Sequence, residues 1–235
     1  MSDAPFAPWV LRGEAMVAFV RRRGYGTMLP DGIVAMPGPA LVLAVRFTAS
    51  PVGPYLRLAV AEPARRGGRL GWCLTTVVVN DQQAWRGERL NWGVPAQLGL
   101  LGWASSEDER SLVWDERRIE VCGRANGPSV PLVFPVRSLQ ERGDGPVVVP
   151  GRLRGRARNA SIDVHTGPHD QLAWLAGRHR GFLLAGVQQV VRKARQPVGL
   201  TATLLAPARA PEAALLESGV RYGAHPDPGA YSSVG

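Results

Sequence analysis

The chain has 235 residues, a formal net charge of +9, 45% hydrophobic residues and 2 cysteines. This length and composition predict an ordinary globular protein of one domain, or of one and a half, and the cysteine count does not fit a disulfide framework. Of the 28 basic residues, 27 are arginine and the single lysine is Lys193. Any chemistry that needs a lysine therefore has one candidate.

The arginines are scattered through apolar stretches without a zinc-finger, helix-turn-helix or RNA-binding signature, so we expect no nucleic-acid partner. The first residues, MSDAPFAPW, lack the basic and apolar regions of a signal peptide, and no apolar run is long enough for a membrane span. We expect a soluble cytoplasmic protein with no membrane partner. Cys73 and Cys122 lie in apolar surroundings that favour buried thiols, and the sequence predicts no metal site and no cofactor.

Short apolar segments bounded by Gly, Pro, Asn or Asp predict a mostly β protein built as a sandwich or a closed barrel. Ten strands are predicted: Ala15 to Arg21, Ala40 to Thr48, Tyr55 to Glu62, Gly71 to Asn80, Ser111 to Asp115, Arg118 to Gly123, Val130 to Pro135, Val147 to Leu153, Ala160 to His165 and Phe182 to Arg192.

Two short helices are also predicted. One follows Pro95 in AQLGLLGWA, with proline at its first position, and the other is N-capped by Asp170 in QLAWLAGRH. From Ala206 the sequence is rich in Ala, Pro and Gly. This composition predicts a domain over residues 1–205 and a C-terminal tail over residues 206–235, with at most a short helix at Pro211 to Ser218.

Common enzyme motifs such as GxGxxG, GxxxxGK[ST], GxSxG, HExxH and paired CxxC are absent from the sequence. Two other segments, SPVGPYLRL at Ser50 to Leu58 and RLNWGVPAQLG at Arg89 to Gly99, follow the opening APWVLRGEAM. In this order and spacing they resemble the acetoacetate decarboxylase superfamily, over roughly Pro8 to Pro197. The resemblance implies a closed β-barrel or cone with a central cavity, a few short helices, and a homodimer or higher oligomer.

One departure from the family pattern concerns its catalytic lysine. In the decarboxylases two lysines follow the proline of the segment that resembles WGVPAQLG, and the first forms a Schiff base with the substrate ketone. The corresponding residues here are Ala96 and Gln97. An alanine methyl group cannot form an imine, so Ala96 is interpreted as the position of the lost family lysine.

A second departure concerns an acidic and a basic residue. The resemblance implies a glutamate shortly after the tyrosine of SPVGPY and an arginine in the strand after PWVL, whereas this chain has Arg57 and Glu14 there. We interpret this as an exchanged ion pair facing one cavity, which could orient a polar substrate. Alternatively, both residues are solvated strand ends and the alignment is shifted by one residue.

Four further residues are candidates for the cavity wall. Tyr55 and Arg57 have the same parity in a strand and should share a face. Trp92 and Gln97 flank the proline turn that, by resemblance, forms one wall. Glu120 is either internal or a solvated hairpin residue.

His165, at a predicted strand end, is either an acid or base near neutral pH or a structural histidine. Lys193 has two arginines beside it, which would lower the pKa of its amine in a dry site and favour imine formation. Because it ends the last predicted strand, an exposed position is the alternative.

The segment GRLRGRAR predicts a row of arginines, since alternate residues of a strand point to one side. The row consists of Arg152, Arg154, Arg156 and Arg158. It is either a solvated outer face or a docking surface for an acidic partner such as a carrier protein.

These observations favour a non-decarboxylating enzyme of secondary metabolism that acts on a keto or polyketide-like small molecule as a cyclase, dehydratase or isomerase. In this hypothesis Arg57, Glu14 and His165 are catalytic, and Tyr55, Trp92, Gln97 and Glu120 bind substrate. One alternative is a catalytically inert protein that binds a small molecule or scaffolds partners. A second alternative is a decarboxylase that uses Lys193.

Overall fold

The computed structural model describes residues 4–21 and 29–196. All of them lie in Met1–Val198, the first of the two units into which the chain divides. The predicted tail and its short helix at Pro211 to Ser218 lie outside the described residues. Within the described part, no helix is both long and apolar enough to cross a membrane.

The described residues form twelve strands, one α-helix and two 3₁₀ turns. The strands are β1 Trp9–Val20, β2 Val34–Ala35, β3 Ala40–Ala49, β4 Tyr55–Arg66, β5 Arg69–Val79, β6 Ala96–Leu98, β7 Leu101–Ser105, β8 Glu109–Trp114, β9 Ile119–Ala125, β10 Val130–Arg142, β11 Gly145–His165 and β12 Gly177–Val191. The helix α1 is Gln82–Trp92, and the 3₁₀ turns are Asp115–Arg117 and Ala173–Leu175.

Each of the ten predicted strands overlaps an observed strand, and the segments Val147 to Leu153 and Ala160 to His165 are parts of the single strand β11. The predicted helix after Pro95 is wrong. Its residues form β6, which pairs in parallel with β5, and β7, which pairs with β8. Tertiary pairing here overrides a weak local preference.

The predicted helix after Asp170 is also wrong, because only the 3₁₀ turn Ala173–Leu175 forms. Asp170 does not cap this turn; its carboxylate accepts a hydrogen bond from the Leu172 backbone N–H at 2.7 Å, directly before the turn. The same carboxylate binds Arg117 in a two-point ion pair. The aspartate therefore joins the turn to β8 and β9 instead of starting a helix.

Seven strands pair in a ring in the order β10, β5, β4, β3, β1, β12 and β11, and β11 returns to β10. The ring is uneven. The β10–β11 pair extends over the whole of β10, whereas β5 and β10 meet at the single parallel pair Ser138 and Trp72. We therefore describe a ring with one weak junction, and the regular closed barrel that the resemblance implies stays a prediction.

The two largest hydrophobic cores lie on opposite faces of the ring strands. Outside, Met16, Val42 and Leu58 pack against Leu112 and Val121 of β8 and β9, which continue the sheet beyond β11. Inside, a second core includes Trp9, Phe47 and Trp92, and brings α1 against the ring. The alternation of side chains along a strand allows β1, β3 and β4 to contribute to both cores.

Helix α1 begins and ends with strong local signals. The Asp81 carboxylate accepts a hydrogen bond from the Ala84 N–H at 2.7 Å, and Gly93 ends the helix with a left-handed φ of 67°. A Cβ on Gly87 would lie 2.4 Å from the Trp9 ring. Glycine at this position therefore allows the helix to approach β1 closely.

Candidate active site

A cavity of about 340 Å³ lies on the inner face of the ring, next to α1. Its walls are mainly aliphatic and aromatic side chains of β1, β3, β10, β11 and β12. Phe19 and Phe134 line it while remaining 36% and 49% exposed, so they mark its opening to solvent. The volume is at the lower end of the range for small-molecule sites.

Besides two tryptophans, four lining side chains carry hydrogen-bonding groups: Arg57, Glu88, Ser138 and Gln189. Arg57 Nη1 lies 3.3 Å from Glu88 Oε1, and the Tyr55 hydroxyl donates to the same oxygen, also at 3.3 Å. The side chains of Arg57 and Glu88 are 12% and 1% exposed. The cavity thus contains a buried ion pair with a tyrosine attached to it.

Burial controls the protonation of this cluster. It raises the pKa of Glu88 above the ordinary value of a glutamate, against the lowering effect of the Arg57 charge. Burial, followed by the Glu88 charge, raises the pKa of Tyr55 well above its ordinary value. Tyr55 therefore stays a hydrogen-bond donor near neutral pH, and Glu88 is shifted toward the range of a general base.

Each member of the pair keeps an unused polar atom. Glu88 Oε2 and Arg57 Nε are buried and have no hydrogen-bond partner among the described residues. Glu88 Oε1 is already shared by Tyr55 and Arg57. Oε2 is therefore the oxygen able to accept a proton, and Arg57 Nε–H is a donor available to a ligand.

Local structure fixes these side chains in place. Tyr55 begins β4 directly after the turn at Ser50, where the serine Oγ accepts from the Val52 N–H at 3.1 Å. On α1, the Trp92 indole N–H donates to the Arg192 carbonyl at 3.0 Å. The Trp92 ring meets Trp9 edge to face, with centroids 5.0 Å apart. The helix that carries Glu88 is thus held against β1 and the end of β12.

Three of the residues singled out from the sequence meet at this site. Arg57 and Trp92 line the cavity, and Tyr55 contacts Glu88 from the same face of β4 as Arg57, as the strand parity predicts. Their roles in binding or catalysis stay predictions.

The predicted Glu14–Arg57 pair is wrong. Glu14 binds Arg110 at 2.7 Å and Arg46 at 3.5 Å, and it is not among the residues that line the cavity. It lies inside the irregularity between Gly13 and Ala15 of β1, where the register against β12 shifts. Ala15 and Val17 face the cavity instead. The glutamate that Arg57 contacts is on α1, a helix that the sequence interpretation missed.

The other predicted residues lie away from the cavity lining. Gln97 is exposed on β6, and His165 is exposed at the end of β11, opposite the half-buried Glu120 of β9. Ala96 is buried in the inner core, and its carbonyl accepts from the Trp85 indole N–H at 2.9 Å. Lys193 is exposed after the end of β12.

Glu88 is the main residue that sequence reasoning missed. The signal was present: Asp81 and Gly93 bracket α1, and Ala84, Glu88 and Trp92 recur at four-residue spacing on its buried face. Ser138 and Gln189 were also missed, and no motif distinguishes them. Among the described residues, no group of three or more His, Cys, Asp or Glu side chains could hold a metal ion.

No protein-family model matches the chain, and no curated protein matches it. Solved structures do. Acetoacetate decarboxylase from Legionella pneumophila superposes with a TM-score of 0.58 at 13% identity, covering 83% of this chain and 89% of that one.

The enduracididine biosynthesis enzyme MppR complexed with pyruvate gives a TM-score of 0.63 at 14% identity, covering 81% of this chain and 90% of MppR. An acetoacetate decarboxylase-like enzyme from Sphingomonas wittichii RW1 gives a TM-score of 0.59 at 14% identity, covering 83% of this chain and 94% of that one. The described structure is therefore an acetoacetate decarboxylase-like fold, the fold that the SPVGPY and WGVP segments suggested.

Proposed function

We propose that the protein is an enzyme that moves a proton next to the carbonyl group of a small, largely apolar molecule. The observation that carries this proposal is the buried Arg57–Glu88 pair on the wall of an apolar cavity. The enzymatic relatives of the same fold support it. Isomerisation, dehydration and cyclisation of keto or polyketide-like compounds all begin with this step.

In the proposed mechanism Arg57 donates a hydrogen bond to the substrate carbonyl oxygen. Glu88 Oε2 removes a proton from the adjacent carbon, and the electron pair of the broken C–H bond forms an enolate whose charge Arg57 stabilises. The protonated Glu88 then returns its proton to another carbon, or to a departing hydroxyl group that leaves as water. Tyr55 stays protonated and holds Glu88 Oε1 in position.

The charge balance of the cavity favours a neutral substrate. Arg57 and ionised Glu88 carry opposite charges and together add no net charge to a largely apolar cavity. A substrate carboxylate would add an unbalanced charge there, which is costly to desolvate. We therefore expect a neutral ketone, ester or thioester instead of a keto acid such as the pyruvate bound by MppR.

Imine chemistry is not part of this proposal. The chain has one lysine, Lys193, and this residue is exposed and absent from the cavity lining. At Ala96, the interpreted position of the family lysine, there is no amine. Reduction with borohydride in the presence of a ketone should therefore leave the protein unmodified, whereas labelled Lys193 would contradict this conclusion.

The experiment for substrate class is solvent exchange in D₂O, followed by the loss of proton NMR signals next to the carbonyl. The neutral probes are 2-pentanone and S-butanoyl-N-acetylcysteamine, and the anionic probes are pyruvate and 2-oxobutanoate. We expect the protein to accelerate exchange of a neutral probe, and Arg57→Met to reduce the acceleration about 100-fold or more. Arg124→Met, on the exposed face of β9, is the matched control.

The mainly apolar lining also suits a protein that binds a small molecule without catalysis. Trp72 and Trp92 line the cavity, so binding of a probe should change tryptophan fluorescence. Saturable binding of the neutral probes without any exchange would replace the enzyme by this second candidate. Exchange of the anionic probes alone would contradict the expected substrate class.

A further inference from the structure

The positive charge of the protein is concentrated in one part of the chain. Residues 145–196 contain nine basic and two acidic residues, a net charge of +7 out of +9 for the whole chain. Both acidic residues are in ion pairs, Asp163 with Arg178 and Asp170 with Arg117. The segment that forms β11 and β12 is thus strongly basic.

Three of these nine basic residues lie with two further arginines on one sheet surface, which we name the arginine face. It comprises the outward-pointing residues of β1, β10 and β11 that carry guanidinium groups: Arg12, Arg137, Arg152, Arg154 and Arg156. Gly151 and Leu153 line the cavity, so the alternating residues Arg152 and Arg154 point to the opposite, exposed side.

The charges of the arginine face are not neutralised by carboxylates. Arg154 binds the Gln188 side-chain oxygen at 2.6 Å, and Arg156 binds Ser129. None of its five arginines lies within ion-pair distance of an acidic side chain among the described residues. Arg158 differs, because it forms an ion pair with Asp108 at 2.6 Å. The predicted row of four arginines therefore contributes three residues to this face.

Exposed apolar residues lie between the arginines. Val133 of β10 is 58% exposed and pairs directly with Arg154. Val10 of β1 is 43% exposed, and Pro135 pairs with Arg152. A surface that combines uncompensated positive charge with apolar contacts is typical of a protein-binding site for an acidic partner.

The arginine face also borders the cavity opening. Phe134, half-exposed at that opening, pairs with Leu153 in the β10–β11 ladder, between the pairs made by Arg152 and Arg154. The two sides of one hairpin thus carry the cavity wall and the basic surface. A partner on the outer side would lie close to the point where a substrate enters.

We propose that the arginine face docks an acidic carrier protein that delivers the substrate as a thioester on a flexible arm. This inference rests on the proposed function, because it names the partner for the same cavity. A thioester is neutral, and its carbonyl acidifies the adjacent C–H bond, as the Arg57–Glu88 site requires. A second copy docking through the same face is disfavoured, since it would place arginines against arginines.

The test is a binding measurement that does not depend on turnover. A fluorescently labelled acyl carrier protein bearing a butanoyl thioester is titrated with the wild-type protein and with an Arg152→Glu/Arg154→Glu variant. We expect this variant to raise Kd at least about tenfold. The matched control is Arg65→Glu/Arg69→Glu in the β4–β5 hairpin, with the same change of charge on exposed residues, and its Kd should stay within twofold of wild type.

An unchanged Kd in the first variant, or no binding of the carrier by the wild type, would overturn the proposal. So would binding of a short DNA duplex in place of the carrier, or a change of oligomeric state caused by the first variant alone. Exchange of S-butanoyl-N-acetylcysteamine separates the two proposals. If free thioester exchanges but the carrier does not bind, only the docking surface fails; if the carrier binds without exchange, only the enzymatic function fails.

Discussion

Replacing Arg57 by methionine should destabilise the fold in a strongly pH-dependent way. The Glu88 side chain is 1% exposed, and in Arg57→Met it loses the one ion-pair partner that it has among the described residues. Removing one member of a buried pair leaves an uncompensated charge and costs about 3–5 kcal/mol of unfolding free energy. The full cost applies at pH 8, because there the folded protein must either bury an unpaired Glu88 carboxylate or bind a proton that the unfolded chain does not bind.

The sign of the pH dependence follows from the Glu88 pKa. Burial raises this pKa in the folded state, so the folded state binds more protons than the unfolded state. The resulting stability is fully present below the unfolded pKa and is lost as the pH rises through the folded pKa. Without Arg57 the folded pKa rises further. The difference between variant and wild type should therefore shrink toward pH 5, by about 1.4 kcal/mol per pH unit below that pKa.

Urea unfolding, followed by tryptophan fluorescence at pH 5 and pH 8, measures the loss of unfolding free energy and its dependence on pH. The double variant Arg57→Met/Glu88→Gln removes both charges of the cavity pair and should recover most of the lost stability. Arg124→Met is the control for an exposed ion pair and should cost less than about 1 kcal/mol. An equal loss of unfolding free energy in Arg57→Met at both pH values, or a loss below about 1 kcal/mol at pH 8, would refute the claim that Arg57 and Glu88 form a buried ion pair.

Three further predictions concern the helix, the thiols and the cavity. Gly87→Ala brings a Cβ against Trp9, so it should lower the free energy of unfolding, measured with urea, by about 1–3 kcal/mol and reduce the rate of proton exchange. Gly102→Ala, with open space around it, is the control, and equal effects of the two substitutions would contradict the close approach of α1 to β1. Burial raises the pKa of both cysteine thiols, Cys73 and Cys122, to about 12, so Ellman's reagent at pH 8 should react with them only after unfolding; rapid labelling of the folded protein would contradict this. Leu43→Trp places a large ring in the cavity and should abolish binding of 2-pentanone in a fluorescence titration, whereas unchanged binding would mean that the ligand lies elsewhere.

The strands were predictable because their signal is local. Alternating apolar residues bounded by turn residues gave segments that overlap β1, β3, β4, β5 and β8 to β12. The Pro95 segment was not predictable in this way. Its residues pair with β5 and β8, partners that are distant along the chain, and no local pattern contains that information.

The site was predictable in part for the same reason. The strand parity placed Tyr55 and Arg57 on one face, and the proline turn pointed to Trp92. The partner of Arg57 does not follow from strand parity, because Glu88 lies on the helix α1. The caps at Asp81 and Gly93 were readable signals for that helix, but its approach to the ring depends on the contact between Gly87 and Trp9.

Whether Glu88 is the base is measured by the rate of proton exchange in Glu88→Gln, with the best neutral probe at saturating concentration. Glutamine keeps the size of the side chain and removes the base. We predict a rate at least about 100-fold below that of the wild type, with probe binding retained. The rate of the control Glu109→Gln, at an exposed residue of β8, should be unaffected. Exchange at the wild-type rate in Glu88→Gln would contradict the assignment of Glu88 as the base.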